Sequence, residues 1–256
     1  MPSIFISGAA AGIGRATCLR FAREGWTVGA HDVDEHGLAD LAREHEGIWV
    51  GPLDVRKSAS WKKALEAFTD RTGGQLDVLH NNAGVLEHGS FTDISLASHK
   101  RQIDVNALGV VHGAHAAHPY LAATPGARLV NMASASAIYG APHLATYSAT
   151  KHFVRALTEA LDVEWRDDDI RVMAIWPLFV QTGMVDAQAG SRSVERLGVR
   201  ATPDDIAEAV WKAVHDRRPD HRVHFTVGLQ TKVLYGASKL SPNFLNRELT
   251  RRMSME

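Results

Sequence analysis

Short runs of apolar residues alternate along the chain with longer stretches in which apolar residues recur at helical spacing. The first run, Ile4–Ile6, is followed by a glycine-rich turn and then by apolar positions between Ile13 and Arg23 that fit one face of a helix. The later run Val172–Trp176 is apolar throughout, as expected of a strand that is buried on both faces. Strands that alternate with helices indicate a parallel sheet covered by helices on both sides.

The same pattern predicts the bounds of seven strands. They are Ile4–Ile6, Trp26–Ala30, Ile48–Val50, Leu76–Leu79, Arg128–Met132, Val172–Trp176 and Val223–Gly228. The two longest predicted helices run from Leu96 to Leu121 and from Tyr147 to Trp165. No linker, repeat or charge block marks a boundary, so we predict a single doubly wound α/β domain over residues 1–256. Within it, residues 183–200 are predicted to form a substrate lid, and residues 229–256 an atypical, polar C-terminal tail.

Composition excludes several classes of protein. Of the 256 residues, 45% are hydrophobic and 22% are charged, and that hydrophobic content excludes a disordered chain. The 28 basic and 29 acidic residues nearly cancel, which argues against a protein that coats nucleic acid. A single cysteine, Cys18, excludes an internal disulfide framework and a cysteine-based zinc site. Because no signal peptide and no apolar run of membrane length is visible, we expect a cytoplasmic protein with neither membrane nor nucleic-acid partners.

A glycine cluster lies between the first predicted strand and the first predicted helix, where a dinucleotide-binding loop is expected. Gly8, Gly12 and Gly14 would let the backbone approach a pyrophosphate, and the start of the helix supplies free N–H groups with positive partial charge. The spacing Gly-xxx-Gly-x-Gly differs from the common dinucleotide fingerprint. A tight turn without a ligand is therefore the alternative interpretation.

Asp32 follows Gly12 by 20 residues, at the end of the second strand. A carboxylate at this position can accept hydrogen bonds from the adenosine ribose hydroxyls, and it would repel a 2′-phosphate. No Lys or Arg occupies positions 9–11 or directly follows Asp32. These features predict NAD rather than NADP as the cofactor, and a solvated loop carboxylate is the alternative.

Tyr147 and Lys151 are four residues apart at the start of a predicted helix, so their side chains share one face. A phenol with a reference pKa near 10 is a poor base at neutral pH, and a neighbouring ammonium favours its ionised form. The pair can therefore transfer a proton. Such pairs also occur by chance on helix surfaces, so the spacing alone does not identify an active site.

Taken together and in chain order, the motifs over residues 3–215 resemble those of the short-chain dehydrogenase/reductase family in its compact form. The matching segments are Ser7–Gly14, Leu53-Asp54-Val55, Asn81-Asn82-Ala83-Gly84, Asn106 on the long helix, Ser134, and the pair Tyr147 and Lys151. Ser134 precedes Tyr147 by 13 residues, at the end of the fifth strand. The resemblance implies a Rossmann-like fold, an NAD cofactor and the interconversion of a secondary alcohol and a ketone.

The resemblance also implies a role for each matched residue. Tyr147 would exchange a proton with the substrate oxygen, and Ser134 would hydrogen-bond that oxygen as charge develops. Lys151 would lower the pKa of the phenol and hold the nicotinamide ribose, while Asn106 would hold a water that links Lys151 to solvent. The cofactor-binding residues implied are Ser7, Gly8, Gly12, Ile13, Gly14, Asp32, Asp54, Val55, Asn82, Ala83, Gly84, Tyr147, Lys151, Pro177, Val180 and Thr182.

The chain departs from the family pattern at two places. Leu178 follows Pro177 where the family usually has glycine, and the usual C-terminal Asp-Gly-Gly-like turn is missing. We expect the altered C-terminal end to block a second contact, and therefore a homodimer through the two long helices rather than a homotetramer. The substrate pocket is predicted to be apolar. Its expected lining is Val85, Leu86, Ile138, Tyr139, Leu144, Leu178, Phe179, Met184 and Val185, and Arg192, Arg196 and Arg200 of the lid are the residues that would instead favour an anionic substrate.

Three other hypotheses remain open at this point. The chain could bind NAD as a sensor or scaffold without turnover, although the complete set of Asn106, Ser134, Tyr147 and Lys151 argues against it. A sugar epimerase or dehydratase would usually need a longer chain with a larger substrate domain. A metal site is not expected, because the repeated histidines His112, His115 and His118 cannot all face one ion from a regular helix.

Overall fold

The chain folds into a sheet of seven strands with helices on both faces. The computed structural model describes residues 1–178, 180–181, 201–218, 222–240, 242, 247–248 and 251. The strands are β1 (Ser3–Ser7), β2 (Thr27–Asp32), β3 (Ile48–Pro52), β4 (Val78–Asn81), β5 (Arg128–Met132), β6 (Arg171–Trp176) and β7 (His224–Thr226). The helices are α1 (Gly12–Arg23), α2 (Glu35–Glu44), α3 (Ser58–Thr69), α4 (Leu96–Ile103), α5 (Gly109–Ala122), α6 (Ala145–Glu164), α7 (Pro203–Val214) and α8 (Leu229–Leu240).

The strand order is β3-β2-β1-β4-β5-β6-β7, and every adjacent pair is parallel. This arrangement confirms the predicted doubly wound, Rossmann-like α/β domain. The order reverses between β1 and β4, where Ile6 is in register with His80. In open parallel sheets, ligands bind outside the carboxyl ends of the strands at such a reversal. The segments that leave β1 and β4, which are the glycine loop and Asn82–Gly84, both start there.

Alternate residues of the strands fill two apolar layers. On one face, Ile4 and Ile6 of β1 pack in a cluster with Phe21 of α1 and Val210 of α7. On the other face, Phe5 packs in a cluster with side chains of α3 and α5. Ile4, Phe5 and Ile6 are each fully buried, so the apolar middle of β1 is covered on both faces of the sheet.

The long helix predicted over Leu96–Leu121 is not one regular α-helix. A π-helical turn, Asp104–Leu108, separates α4 from α5. A π-turn inserts an extra residue into the helical repeat and is frequent at functional sites. Here it carries Asn106, whose side chain is fully buried against α6.

The C-terminal part also differs from the prediction. The expected polar tail begins with helix α8, whose Tyr235 ring lies 5.3 Å from that of Trp176, edge to face. Helix α7 was not among the predicted elements, although Thr202 and Asp205 form a capping box before it and Pro203 occupies its first turn. The predicted lid over residues 183–200 and the rest of the tail, apart from residues 242, 247–248 and 251, lie outside the described residues.

Two further features are absent from the described ranges. None of the helices described there is both long and apolar enough to cross a membrane. Among the same residues, no group of three His, Cys, Asp or Glu side chains is placed to hold a metal ion. Cys18 is fully buried, and this burial raises the pKa of its thiol, so it is an inert core side chain.

Two buried histidines predict a loss of stability in mild acid. Burial lowers the pKa of His31 to about 4 and that of His80 to about 3. Below the ordinary pKa of 6.5, the unfolded chain takes up protons at both positions while the folded chain does not. Stability therefore falls as the pH drops from 6.5 toward 4 and 3. At pH 5 the free energy of unfolding should be about 2 kcal/mol lower per histidine than at pH 7.5.

Urea unfolding of His80→Leu at the two pH values tests this expectation. The two histidines together lower the free energy of unfolding between pH 7.5 and pH 5, and this contribution should be about halved in the variant. Only His31 then remains as a buried histidine that resists protonation. His36→Gln, at an exposed position, is the matched control for the loss of a histidine. An undiminished pH dependence in His80→Leu would show that His80 does not contribute.

Candidate active site

A cavity of about 650 Å³ opens at the carboxyl ends of β1 and β4. The predicted site residues that line it are Gly8, Gly12, Ile13, Asp32, Asp54, Val55, Asn82, Ala83, Gly84, Ser134, Tyr147, Lys151, Pro177 and Val180. Ser7, Gly14 and Asn106 do not line the cavity and support its wall from behind. Thr182 lies outside the described residues. The structure thus brings motifs that are far apart in the sequence, from Gly8 to Val180, to one cavity.

The glycine loop is shaped by close backbone contacts that exclude larger residues. Gly8 has φ +67°, and a Cβ on Gly14 would lie 2.0 Å from the carbonyl oxygen of Gly8. The Asn82 side-chain amide donates to the carbonyl oxygens of Ser7 (3.1 Å) and Gly8 (2.9 Å), which ties the loop to the end of β4. Ala11 provides no side-chain cap for α1, so the first N–H groups of the helix are available beside the cavity. This arrangement fits a pyrophosphate.

Asp32 lies at the end of β2 and is held by two backbone groups. Its Oδ2 accepts from the Ala10 N–H at 3.0 Å, and its Oδ1 accepts from the Asp34 N–H at 3.1 Å. The carboxylate is therefore fixed at the edge of the cavity, next to the glycine loop. Each oxygen retains a second lone pair that could accept from a ribose hydroxyl.

Two arginines that sequence reasoning missed, Arg56 and Arg101, also line the cavity. Arg56 donates to both carboxylate oxygens of Asp54 at 2.8 Å, and these bonds hold the pKa of Asp54 well below its usual range. Arg101 lies on α4, one helical turn before Val105, which also lines the cavity. Arg56 could have been found from the sequence, because it is two residues from the predicted Asp54.

Tyr147, Ser134 and Lys151 meet at the other end of the cavity. Tyr147 is in the first turn of α6, and Ser134 is the residue that precedes a short 3₁₀ turn after β5. Burial raises the pKa of the Tyr147 phenol, and a hydrogen bond with Ser134 opposes that rise. The Lys151 Nζ lies 5.6 Å from the centre of the Tyr147 ring.

Lys151 is 4% exposed, and its ammonium donates to the carbonyl oxygen of Met132 at 2.8 Å. Burial lowers the pKa of Lys151 to about 8, so the group is still mainly charged at pH 7. A cation beside a phenol favours the phenolate. The phenol therefore holds its proton at pH 7, beside a cation that would stabilise the phenolate once the proton is transferred.

Asn106 has a structural role that the resemblance did not suggest. Its Oδ1 accepts from the Val85 N–H and its Nδ2 donates to the Val85 carbonyl oxygen, each at 2.8 Å. Nδ2 also lies 3.3 Å from Thr150 Oγ1. The amide is thus engaged on both sides by protein groups, and the water that it would hold beside Lys151 stays a proposal.

The predicted apolar wall is found in part. Val85, Leu86, Leu144 and Leu178 line the cavity, together with Met132 and Ser136. Ile138 packs instead in the apolar cluster of Trp176 and Val154, and Tyr139 is not among the lining residues, so both predictions were wrong. Phe179, Met184, Val185 and the arginines at 192, 196 and 200 lie outside the described residues.

Comparison with known proteins agrees with this geometry. The sequence matches the family model described as short chain dehydrogenase over residues 2–192. The chain belongs to the short-chain dehydrogenase/reductase family. It is 33% identical to the 3-oxoacyl-(acyl-carrier-protein) reductase FabG of Thermotoga maritima over 214 residues. This aligned region covers 80% of this chain and 87% of the relative.

Two further members of the short-chain dehydrogenase/reductase family are similar to the chain. A cyclohexanol dehydrogenase of Acinetobacter is 29% identical over 212 residues, which cover 80% of this chain and 84% of the relative. The crystal structure of a 3-ketoacyl-(acyl-carrier-protein) reductase from Brucella melitensis with NADH superposes with a TM-score of 0.81 at 28% identity, over 88% of this chain and 96% of that one. The family assignment makes the chain an oxidoreductase with a nicotinamide dinucleotide as the expected cofactor type.

Proposed function

We propose that the protein is an NAD-dependent oxidoreductase that interconverts a secondary alcohol and a ketone. The observation that carries the proposal is that Tyr147, Ser134 and Lys151 line the same cavity as the glycine loop and Asp32. The cytoplasmic location expected from the sequence is part of the proposal. The lid over residues 183–200 is likewise a proposal.

The chain's own residues would hold the cofactor and move the proton. A nicotinamide dinucleotide, when bound, supplies the hydride chemistry. Free N–H groups at the start of α1 would bind its pyrophosphate, and Asp32 would accept from the adenosine ribose. The Tyr147 phenol would donate a proton to the carbonyl oxygen in reduction and take it back in oxidation. Ser134 would hydrogen-bond the same oxygen, and the Lys151 ammonium would stabilise the phenolate that remains.

The preference for NAD rests on the fixed position of Asp32. Two backbone hydrogen bonds hold its carboxylate at the edge of the cavity. A 2′-phosphate bound there would be repelled by a negative charge that these bonds keep in place. Arg56 lines the same cavity, but both bonds of its guanidinium fork go to Asp54. Its charge is therefore largely offset.

We expect kcat/KM with NAD to exceed that with NADP by at least about tenfold. Asp32→Ala should lower the ratio of kcat/KM with NAD to kcat/KM with NADP, because it removes the repulsion of the 2′-phosphate. Asp32→Asn is the matched variant, since it removes the charge and keeps an oxygen that can accept from the Ala10 or Asp34 N–H. Steady-state kinetics with both cofactors give the ratio, and equal or better use of NADP by the wild type would exclude the proposed preference.

The described part of the cavity wall favours an apolar substrate. Val85, Leu86, Leu144 and Leu178 offer apolar surface, and pockets of this kind select by shape and burial. A relative that acts on cyclohexanol supports a compact secondary alcohol of this character. Each additional buried CH₂ of the substrate should add about 0.8 kcal/mol to its binding.

An assay of NADH formation with a panel of cyclic and linear secondary alcohols tests the proposed function. We expect turnover that rises with the number of ring or chain carbons. A carboxylate-bearing analogue that is strongly preferred over its neutral counterpart would contradict the apolar substrate. NADH binding without oxidation of any alcohol in the panel would support the sensor or scaffold instead.

The long helices provide a surface for the proposed homodimer. Ile103, Leu108 and Phe153 on α4, the π-turn and α6 are 49%, 42% and 43% exposed, so they offer apolar surface that a partner helix would cover. Phe153→Asp should therefore convert a dimer to a monomer in light scattering at micromolar concentration. The exposed Val233 on α8, outside the two long helices, gives Val233→Asp as the control. A monomeric wild type would refute the pairing, and a tetramer would refute the predicted block of the second contact.

A further inference from the structure

Three buried polar side chains follow one another along α4 and the π-turn. His99, Gln102 and Asn106 are 8%, 2% and 0% exposed. Each of them binds the backbone of the segment 85–91, which follows Asn82–Gly84 after β4 and contributes Val85 and Leu86 to the wall of the cavity. Asn106 binds Val85, the Gln102 Oε1 accepts from the N–H of residue 87 at 3.3 Å, and His99 Nε2 lies 3.0 Å from the carbonyl oxygen of residue 91.

His99 differs from the other two because it also binds the helix that carries Tyr147. Its Nδ1 lies 2.7 Å from the hydroxyl oxygen of Thr146, the residue immediately before Tyr147. The Phe91 carbonyl oxygen can only accept, so Nε2 carries the proton and donates to it. Nδ1 then has a free lone pair and accepts from the Thr146 hydroxyl. With the proton on Nε2 and the lone pair on Nδ1, both ring nitrogens are satisfied by these two bonds.

The start of α6 depends on contacts of this kind. Leu144 precedes the helix and gives it no side-chain cap. Within the described residues, the first turn is held instead by Ser148, whose hydroxyl oxygen accepts from the Ala141 N–H at 3.1 Å, and by Thr146. The Ser148 bond is local, 7 residues along the chain, whereas the His99 bond reaches 47 residues back to α4.

The position of the first turn decides how the phenol meets its partners. Tyr147 must reach Ser134 on the β5 side and lie beside Lys151 one turn further along α6. Proton transfer depends steeply on such geometry, and a displacement of about 1 Å can cost about a hundredfold in rate. Since the phenol follows Thr146 directly, a fixed Thr146 hydroxyl limits the rotation of the turn that presents it.

We infer that His99 is a positioning residue that orients Tyr147 by accepting a hydrogen bond from the Thr146 hydroxyl. The inference rests on the proposed function insofar as Tyr147 is the proton donor. It does not require His99 to touch the substrate or the cofactor. It assigns to α4 a role in catalysis as well as in holding the wall of the cavity.

Four substitutions separate the two bonds of His99. In His99→Asn the amide oxygen can take the place of Nδ1 and accept from Thr146, while in His99→Gln the amide nitrogen can take the place of Nε2 and donate to the Phe91 carbonyl. Thr146→Val removes the hydroxyl at constant shape, and Thr146→Ser keeps it. We expect His99→Gln and Thr146→Val to lower kcat about tenfold or more. His99→Asn and Thr146→Ser should stay within about threefold of the wild type.

A second readout does not depend on turnover. The chain has 4 tyrosines, so ultraviolet absorbance titration of each variant, compared with the same variant carrying Tyr147→Phe, isolates the phenol of Tyr147. We expect Thr146→Val and His99→Gln to raise the pKa of this phenol, because a displaced ring loses the hydrogen bond from Ser134 that favours ionisation. The dissociation constant of NADH should not change.

The outcomes distinguish this inference from the proposed function. A raised phenol pKa in an enzyme that turns over no substrate would support the positioning role and contradict the proposed reaction. Unchanged kcat and phenol pKa in Thr146→Val, with only a lower melting temperature, would reduce His99 to a structural residue and overturn the inference. Thr69→Val is the matched control, because the buried Thr69 hydroxyl donates to the Leu65 carbonyl oxygen at 2.8 Å on α3 and the residue does not line the cavity.

Discussion

Replacing Tyr147 with phenylalanine should lower kcat by about 10²–10⁴-fold while NADH still binds. The substitution removes one oxygen from the catalytic end of the cavity and leaves the ring. The glycine loop and Asp32 lie at the other end of the cavity and keep their contacts with Ala10, Asp34 and Asn82. Cofactor binding, followed by NADH fluorescence, should therefore change much less than turnover.

Tyr120→Phe is the control for the loss of a phenol. Tyr120 is on α5, packs against the apolar cluster of α3 and does not line the cavity. We expect its turnover to match that of the wild type. A Tyr147→Phe enzyme with wild-type rates would remove Tyr147 from the mechanism and leave Ser134 and Lys151 without a proton donor.

The strands of the sheet could be predicted because the hydrophobic pattern of each one lies within its own segment of the chain. The run Val172–Trp176 is apolar at every position, which only a strand covered on both faces can accommodate, and the structure buries all five side chains. The π-turn Asp104–Leu108 could not be predicted in this way. Its residues are ordinary for a helix, and the extra residue is accommodated by contacts of Asn106 with Val85 and Thr150 that are distant in the chain.

Helix α8 shows a different limit. Leu229 and Val233 recur at helical spacing, yet they are 77% and 60% exposed, so the apolar pattern does not mark the buried side. The helix is anchored by Tyr235, which contacts Trp176 and His224. Since neither partner can be identified from the segment itself, composition suggested only a polar tail.

At the candidate site, the residues that line the cavity were mostly predictable, and their partners were not. The glycine loop, Asp32, Ser134 and Tyr147, which motif order had grouped as one site, line one cavity. The backbone carbonyl that binds Lys151 and the histidine that binds Thr146 carry no sequence signal. Such contacts depend on which elements pack together, so they require the three-dimensional structure.

Lys151→Met should damage both turnover and cofactor affinity. Methionine fills nearly the same volume without the charge, so the phenolate of Tyr147 loses its neighbouring cation. We expect kcat to fall about a hundredfold and the dissociation constant of NADH to rise about tenfold. The Met132 carbonyl oxygen also loses its donor, which costs about 1–3 kcal/mol of stability, so the melting temperature must be measured alongside.

The pH dependence of NADH binding separates the charge of Lys151 from its bulk. Burial lowers the pKa of the wild-type ammonium to about 8, so the charged form is lost as the pH rises through 8. Wild-type affinity for NADH should therefore weaken between pH 7 and pH 9.5, while that of Lys151→Met should stay flat over the same range, because methionine does not titrate. Lys151→Arg keeps a cation at both pH values but not the compact ammonium, so its affinity should also be independent of pH. Equal pH dependence in wild type and Lys151→Met would place the titrating group elsewhere in the cavity and leave Lys151 with a purely structural contact to Met132.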